Sequence, residues 1–445
     1  MKGPNKLFRG VAVTGLLAGS LSTMAQKQEM QYYRTNDKNG LNVFETTKSD
    51  STPFSHLKVK VGGNFTQDFQ ALSHQNNAIP VMVNGVNTNQ LMGISNGFNL
   101  AMANLNIDAQ LADGVRMNLT MYLSTRHHEE TWVKGGYVQF DKLPFFKSAI
   151  IDDIMKSFTI KVGDYEVDYG DQHFRRTDGG NAIYNPFVEN YIMDEFATEI
   201  GGEIFYHHKS GILAMVGITD GQLNPTVIAS SKIDSATGKL NKYAPAFHGK
   251  IGYDKQFNKD FRLRVTGSVY ADKSSPNNTL FGGDRTGSHY FFAMENTAAT
   301  STGNAFSGRY NPAFGQQVTT FMFNPFIKFH GLEIFGTYEM AKGRVITERN
   351  SRTATQYAAD VIYRFTARHE NFWIGGRYNS VTATIVGNTN DITINRMVGS
   401  LGWFVTKNIM VKAEYVNQQY ENFKVTDIRA DGMFSGFMGE ASIAF

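Results

Sequence analysis

The stretch Val115-Arg116-Met117-Asn118-Leu119-Thr120-Met121-Tyr122-Leu123-Ser124 decides the fold class, because its side chains alternate between apolar and more polar. Successive side chains of a strand point to opposite faces, so the stretch predicts a strand with one apolar and one wet face. The same period of two recurs at residues 261–272, at residues 357–368 and through the rest of the chain from residue 57 onward. The sequence therefore predicts an all-β protein.

Strand length and loop spacing distinguish a barrel from a soluble sandwich, which shows the same alternation. The predicted strands run for about 10 to 14 residues, enough to cross a bilayer at a tilt of roughly 45°, whereas soluble strands are mostly about 6 residues long. Short turn-forming connections, such as 208–211 and 257–260, alternate with long ones, such as 221–244 and 273–314. This sorting is typical of outer-membrane barrels. We predict a transmembrane antiparallel up-and-down β-barrel of about 16 strands over residues 57–445.

Two segments need separate treatment in this strand count. Residues 288–296 look extended, but a spanning strand there would make the count odd, so we assign them to a structured external loop. Residues 142–157 form a longer connection on the short-turn side, and their apolar spacing predicts a brief amphipathic helix. The chain ends in an apolar strand pattern closed by Phe445, which resembles the terminal recognition strand of bacterial outer-membrane barrels.

The amino terminus predicts export. Residues 1–25 combine Lys2, Lys6 and Arg9 with a short apolar run and small residues before position 26, as a secretory signal peptide does. Without those three cations the formal charge changes from 43 − 40 = +3 to 40 − 40 = 0, so net charge predicts no nucleic-acid partner. Residues 26–56 are polar and turn-rich, and we expect them to form a periplasmic extension outside the main fold. The chain has no cysteine, which excludes disulfides and thiol chemistry.

A barrel of this size encloses a lumen too wide for wall side chains alone to fill, so the polar faces of the strands are expected to line a water channel. The basic residues expected to line it are Lys58, Lys60, Arg116, Arg262, Arg264, Arg364, Arg368 and Arg377. All but Arg377 lie near predicted short-turn ends, which predicts a positive field that attracts anions. The alternative is a ladder of salt bridges that neutralises the wall.

The segments Val162-Gly163-Asp164-Tyr165, Gly170-Asp171-Gln172-His173-Phe174-Arg175-Arg176 and Tyr184-Asn185-Pro186-Phe187 resemble outer-membrane porins of Bacteroidota, and at a distance the phosphate-selective porin O/P family. The resemblance implies a porin whose third long loop, residues 170–195, folds inward and narrows the pore. Charge rings at such a constriction bias ion passage. The candidate constriction residues are Arg175 and Arg176, opposed by Asp171, Asp178, Asp194 and Glu195. Alternatively the loop packs on the rim or in an oligomer contact.

The expected function is passive diffusion of small hydrophilic solutes across an outer membrane, with a mild anion preference. The alternative is a non-conducting barrel that serves as a scaffold or as a subunit of a secretion complex. We expect no enzyme, cofactor or metal: residues 93–97 match G-x-S-x-G without the strand-turn-helix context of a hydrolase, and residues 127–130 are more typical of a solvated loop tip than of a metal site. Expected partners are outer-membrane lipid, the solute and, by analogy with general porins, two further copies in a homotrimer.

Overall fold

The computed structural model describes residues 30–126, 130–178 and 181–445, apart from the side chain of Leu100. The predicted signal peptide and the histidine pair at 127–128 lie outside the described residues. The strands are β1 Lys58–Gln75, β2 Met82–Val83, β3 Val86–Asn87, β4 Gly97–Ala112, β5 Val115–Ser124, β6 Trp132–Phe140, β7 Phe158–Glu166, β8 Thr198–His207, β9 Ile212–Thr219, β10 Ala246–Asn258, β11 Phe261–Asp272, β12 Gln317–Phe329, β13 Leu332–Arg344, β14 Arg352–Arg364, β15 Phe372–Ala383, β16 Ile392–Thr406, β17 Ile409–Glu421 and β18 Met433–Ala444.

Sixteen of these strands form a closed antiparallel barrel, in which each strand pairs with its neighbours along the chain. The barrel closes where β1 pairs with β18, in a register that runs from Asn64 opposite Ala444 to Gln75 opposite Met433. The remaining two strands, β2 and β3, form a small hairpin in the connection between β1 and β4. The predicted fold class and strand number are confirmed.

The connections alternate between short and long around the barrel. Two-residue turns join β4 to β5, β12 to β13 and β16 to β17, and the first of these places Gly114 at a φ of +69°, which glycine adopts without strain. The long connections leave the opposite rim, and residues 288–296 lie in one of them with no spanning strand. On the short side, α1 (Ala149–Met155) follows Ser148, whose side chain caps the helix by accepting from the backbone N–H of Ile151.

The outer surface of the barrel is apolar, whereas the inner surface combines charged and polar side chains with buried apolar ones such as Ile362, Trp373 and Val398. In β14 the inward residues are buried and the outward residues are exposed in strict alternation from Gln356 to Arg364. Exposed aromatic side chains, among them Phe329, Phe372 and Trp403, lie near the short-turn ends of their strands, as an interfacial girdle requires. Among the described residues, no helix is long and apolar enough to cross a bilayer.

Candidate functional site

Three segments reach into the barrel and occupy much of its interior: residues 30–56, residues 167–178 with 181–197, and part of residues 273–316. We call them the N-terminal segment, the inner loop and the long loop. Most of the inner loop is buried, although it connects two strands at the rim. Loops ordinarily lie on the surface because their backbone groups need water. Here polar side chains of the barrel wall satisfy those groups: Asn379 Oδ1 accepts from the Ile192 N–H at 2.6 Å, and Gln356 Oε1 accepts from the Met193 N–H at 2.9 Å.

The N-terminal segment lies inside the barrel. The Arg34 guanidinium donates to the Phe174 carbonyl of the inner loop at 2.8 Å, and Asn42 Nδ2 donates to Glu333 Oε1 on β13 at 2.6 Å. Phe44 is buried, with its ring centroid 5.4 Å from that of Phe326. The expectation that this extension lies outside the main fold is therefore wrong for its described residues. Its apolar and acidic side chains match the rings and cations that the barrel wall points inward.

The candidate constriction residues Arg175 and Arg176 lie in the inner loop, and each is 4% exposed. The Arg175 guanidinium donates to Asn42 Oδ1 at 2.8 Å and lies 4.9 Å from the ring centroid of Phe335. Arg176 pairs with carboxylates of its own loop, Asp194 at 2.7 Å and Asp178 at 3.4 Å. Both arginines therefore face protein partners: Arg176 pairs with two of the candidate carboxylates, whereas the nearest carboxylate to Arg175 is Glu333 on β13, at 3.7 Å.

The other two candidate constriction carboxylates have different partners. Asp171 accepts two hydrogen bonds from Arg264 on β11, at 2.7 and 2.8 Å, and lies 3.1 Å from the Lys250 ammonium. Burial raises the pKa of Asp171, but the charges of Arg264 and Lys250 outweigh burial and hold that pKa below its usual value. Glu195 lies beside Glu339 without a cation, so burial and the neighbouring carboxyl raise its pKa well above the ordinary value. The buried carboxylate of Asp171 is therefore held by two cations, whereas burial and the carboxyl of Glu339 disfavour the ionised form of Glu195.

Most of the predicted wall cations are paired on the inner face. Arg364 donates to Glu333 at 2.9 Å, and Arg377 donates to both oxygens of Asp360 at 2.7 and 2.9 Å. The remaining inward cations have these partners: Arg116 with Gln139, Arg262 with Asp254, Arg264 with Glu45 and Asp171, and Lys60 with Tyr33, while Lys58 is half-buried at the start of β1 and also has a partner. Four of these cations, Arg262, Arg264, Arg364 and Arg377, pair with carboxylates as a salt-bridged ladder would, whereas the partners of Arg116 and Lys60 are uncharged.

Arg368 does not line the lumen. Strand β14 ends at Arg364, and Arg368 lies in the exposed turn Thr366–Arg368 that follows. The sequence alternation continues through this turn, but a residue beyond the last inter-strand hydrogen bond no longer has its orientation fixed by the sheet. The expectation for Arg368 is therefore wrong.

Two connected cavities lie on one side of the interior. A cavity of about 280 Å³ separates the inner faces of β1 and β4–β7 from the N-terminal segment and the inner loop. A second cavity of about 160 Å³ shares several lining residues with it, including Arg34, Arg116 and Lys161. Half-exposed polar side chains mark this side of the wall, such as Asn106 and Asn118. The opposite wall, from β11 to β18, is packed against the filling segments.

Sequence reasoning missed several residues that surround this space, among them Tyr33, Arg34, Asn104 and Tyr165. A pattern in the sequence marks one of them: Asn104, Asn106 and Asp108 share the polar parity of β4. The residues of the N-terminal segment could not be placed, because no periodicity indicates where an irregular segment docks.

Neither a protein-family model nor a curated protein matches the chain. Solved structures do resemble it. An anion-selective porin from Comamonas acidovorans is 9% identical at a TM-score of 0.53, over 88% of this chain and 100% of that chain. OprB of Pseudomonas putida is 9% identical at a TM-score of 0.50, over 87% of this chain and 94% of that chain. At such identities the likeness establishes the shared barrel fold.

Proposed function

We propose that this chain is a channel of the bacterial outer membrane that passes small hydrophilic solutes by diffusion. One observation carries the proposal: a closed sixteen-stranded barrel with an apolar exterior and an interior that carries many charged and polar side chains. Such an exterior suits hydrocarbon, and such an interior suits water. The likeness in fold to a porin described as anion-selective supports the same reading. The predicted signal peptide at residues 1–25 is consistent with export to that membrane.

The solute path in this proposal follows the β4–β7 side of the interior, where the two cavities lie. The N-terminal segment and the inner loop together narrow this path, so the constriction is built from both. Because the inward cations are mostly paired, we propose only a weak anion preference. The reversal potential in a salt gradient measures this preference. A reversal potential close to that of free diffusion is expected if carboxylates neutralise most of the inward cations.

A non-conducting barrel that acts as a scaffold is the second candidate function. The buried state of the inner loop and the small volume of the remaining cavities favour it. Planar-bilayer recording of the purified protein separates the two candidates. Discrete conductance steps, smaller than those of a barrel with an unfilled lumen, support the channel, whereas a sealed bilayer supports the scaffold. Assembly as a homotrimer is a further proposal, which the mass of the detergent-solubilised protein tests.

A further inference from the structure

The connection between β6 and β7 differs from the other connections on the short-turn side of the barrel. It runs over residues 141–157 and contains α1, whereas the other connections on this rim are two to seven residues long. Four of its apolar side chains are exposed: Phe145 at 60%, Phe146 at 57%, Ile150 at 74% and Ile154 at 51%. Because exposed apolar side chains rarely cluster on a surface that meets only water, this apolar patch indicates a contact with another molecule or with lipid.

Helix α1 has one side that faces the barrel interior and one side that the fold leaves uncovered. Met155 is 4% exposed, and it lines a cavity of about 440 Å³ together with Asp152 and with Lys48 of the N-terminal segment. At a rotation of roughly 100° per residue, Ile150 lies some 140° round the helix from Met155 and some 160° from Asp152. Ile154 follows Ile150 by four residues and therefore shares its side. The apolar side of α1 is turned away from the N-terminal segment.

The exposed phenylalanines continue the apolar outer face of the barrel. Phe140, the last residue of β6, points outward, because the preceding Gln139 faces the interior and lines a cavity there. The ring centroid of Phe145 lies 6.4 Å from that of Phe140 and 4.8 Å from that of Phe146. A row of aromatic rings in contact therefore leads from the outer wall of the barrel to the connection that contains α1.

The connection is fastened at both ends, so the apolar patch has a fixed position. Lys48 Nζ donates to the carbonyl of Asp141 at 2.9 Å and to the carbonyl of Phe158 at 2.7 Å. Asp141 is the first residue of the connection, and Phe158 follows its last residue. A patch that is already held in place loses little conformational entropy when it meets another surface.

A lipid surface suits this patch better than a protein partner does. The patch consists of four apolar side chains, whereas a stable protein interface uses about 20–30 residues on each partner. Lipid needs no matching shape, and in a spanning barrel it already borders the outward Phe140. Lys147 and Lys156 are exposed at the two ends of α1 and suit anionic phospholipid headgroups. Because Asp153 pairs with Lys156 at 2.9 Å, apolar burial contributes more than charge.

We propose that α1 and the adjoining phenylalanines form an interfacial anchor that binds the phospholipid surface on the short-turn side of the barrel. The anchor rests on the proposed membrane location and goes beyond the channel function. Ile150 and Ile154 enter the boundary between headgroups and acyl chains, as the apolar side of an interfacial helix does, while Asp152 stays in water.

Single-cysteine variants test the anchor, because the chain has no cysteine of its own. A nitroxide label at Ile150→Cys reports on the apolar side of α1, and Asp152→Cys on the opposite side is the matched control. Val162→Cys reports on the outer face of β7, where Val162 is 50% exposed. The labelled full-length protein is reconstituted in vesicles of phosphatidylethanolamine and phosphatidylglycerol. The measurement compares how often each label collides with oxygen, which concentrates among acyl chains, and with a water-soluble nickel chelate.

We expect the label at position 150 to lose access to the nickel chelate and to keep access to oxygen, as the label at position 162 does. The label at position 152 should stay accessible to the chelate. If the chelate reaches position 150 as readily as position 152 while position 162 is shielded, the barrel spans the membrane and the anchor is overturned.

Two further outcomes separate the anchor from its alternatives. Shielding of position 150 from both oxygen and the chelate would show a contact with a protein or with a second copy of this chain, and it would also overturn the anchor. Free access of the chelate to position 162 would show that the barrel itself does not lie in lipid, so the anchor and the channel would fail together. The labels give these results whether or not the barrel conducts ions.

Discussion

Arg264 is fully buried on the inner face of β11 and contacts carboxylates from two filling segments, Asp171 of the inner loop and Glu45 of the N-terminal segment. Replacing it with methionine leaves two buried carboxylates with Lys250 as their shared cation. We expect Arg264→Met to lower the free energy of unfolding by about 3 kcal/mol, the scale of a broken buried pair. Thermal unfolding in detergent measures it.

Arg262 provides the control for that substitution. It lies two residues away on the same face, pairs with Asp254 at 2.7 Å and is partly exposed, so water can compensate for its loss. Arg262→Met should cost clearly less than Arg264→Met. Equal costs would show that the buried cluster contributes nothing beyond an ordinary surface pair.

His289 of the long loop gives a pH dependence at the residue scale. Its Nδ1 lies 2.6 Å from Asp68 Oδ2 on β1 and 3.3 Å from Glu440 Oε2 on β18, and Glu189 also faces it. Burial lowers the pKa of His289, but these carboxylates outweigh burial and raise the pKa to about 8 from 6.5. Protonated His289 therefore stabilises the docked loop. This stabilisation is complete below about pH 6.5 and is lost as the pH rises through about 8.

We therefore expect hydrogen exchange of residues 284–295 to accelerate as the pH rises from 6.5 to above 8, after correction for intrinsic exchange. His289→Gln removes the titrating group and should abolish this acceleration. Lys412 pairs with Glu440 at 2.7 Å, so its ammonium offsets part of the negative charge that faces the neutral imidazole. If hydrogen exchange in this loop accelerates with pH as much in His289→Gln as in the unaltered protein, then another group causes the effect.

At the scale of elements, the N-terminal segment controls how much of the interior remains open. Phe44 packs among aromatic rings, and Glu45 pairs with Arg264 and Lys250. The double variant Phe44→Ala with Glu45→Gln weakens both contacts, so we expect a larger single-channel conductance or more frequent open states in planar bilayers. Thr47→Ala, an exposed change in the same segment, is the control. Unchanged conductance in the double variant would show that the segment does not limit the path.

The strands could be predicted from the sequence because a period of two is local and repeats around the barrel. The position of the inner loop followed from counting strands and from a resemblance, and its partners did not follow. Arg176 pairs with Asp194 within the loop, whereas Arg175 contacts Asn42, 133 residues away along the chain. Such pairings depend on how an irregular segment folds into the lumen. No sequence period encodes that fold, so the charges could be identified but not their neutralisation.

At the scale of the whole molecule, the two faces of the barrel wall meet different surroundings, and this difference predicts opposite tolerance to charge. Val216 points outward near the middle of β9 and is 65% exposed. In a bilayer, an arginine at such a position costs about 2–4 kcal/mol, because its charge leaves water for hydrocarbon. We expect Val216→Arg to lower the free energy of unfolding in lipid vesicles by that amount, as measured by denaturant titration of the folded barrel.

The same charge change outside the apolar belt should be tolerated, which makes the comparison a test of where the bilayer lies. Val227 is exposed in the connection between β9 and β10, so Val227→Arg keeps the charge in water and should leave folding within about 0.5 kcal/mol of the unaltered protein. In detergent micelles the penalty for Val216→Arg should shrink, since a micelle deforms around a charge more readily than a bilayer does. Equal stability of the two variants in vesicles would place Val216 in water, and a barrel with that outer face in water could not span the membrane as proposed.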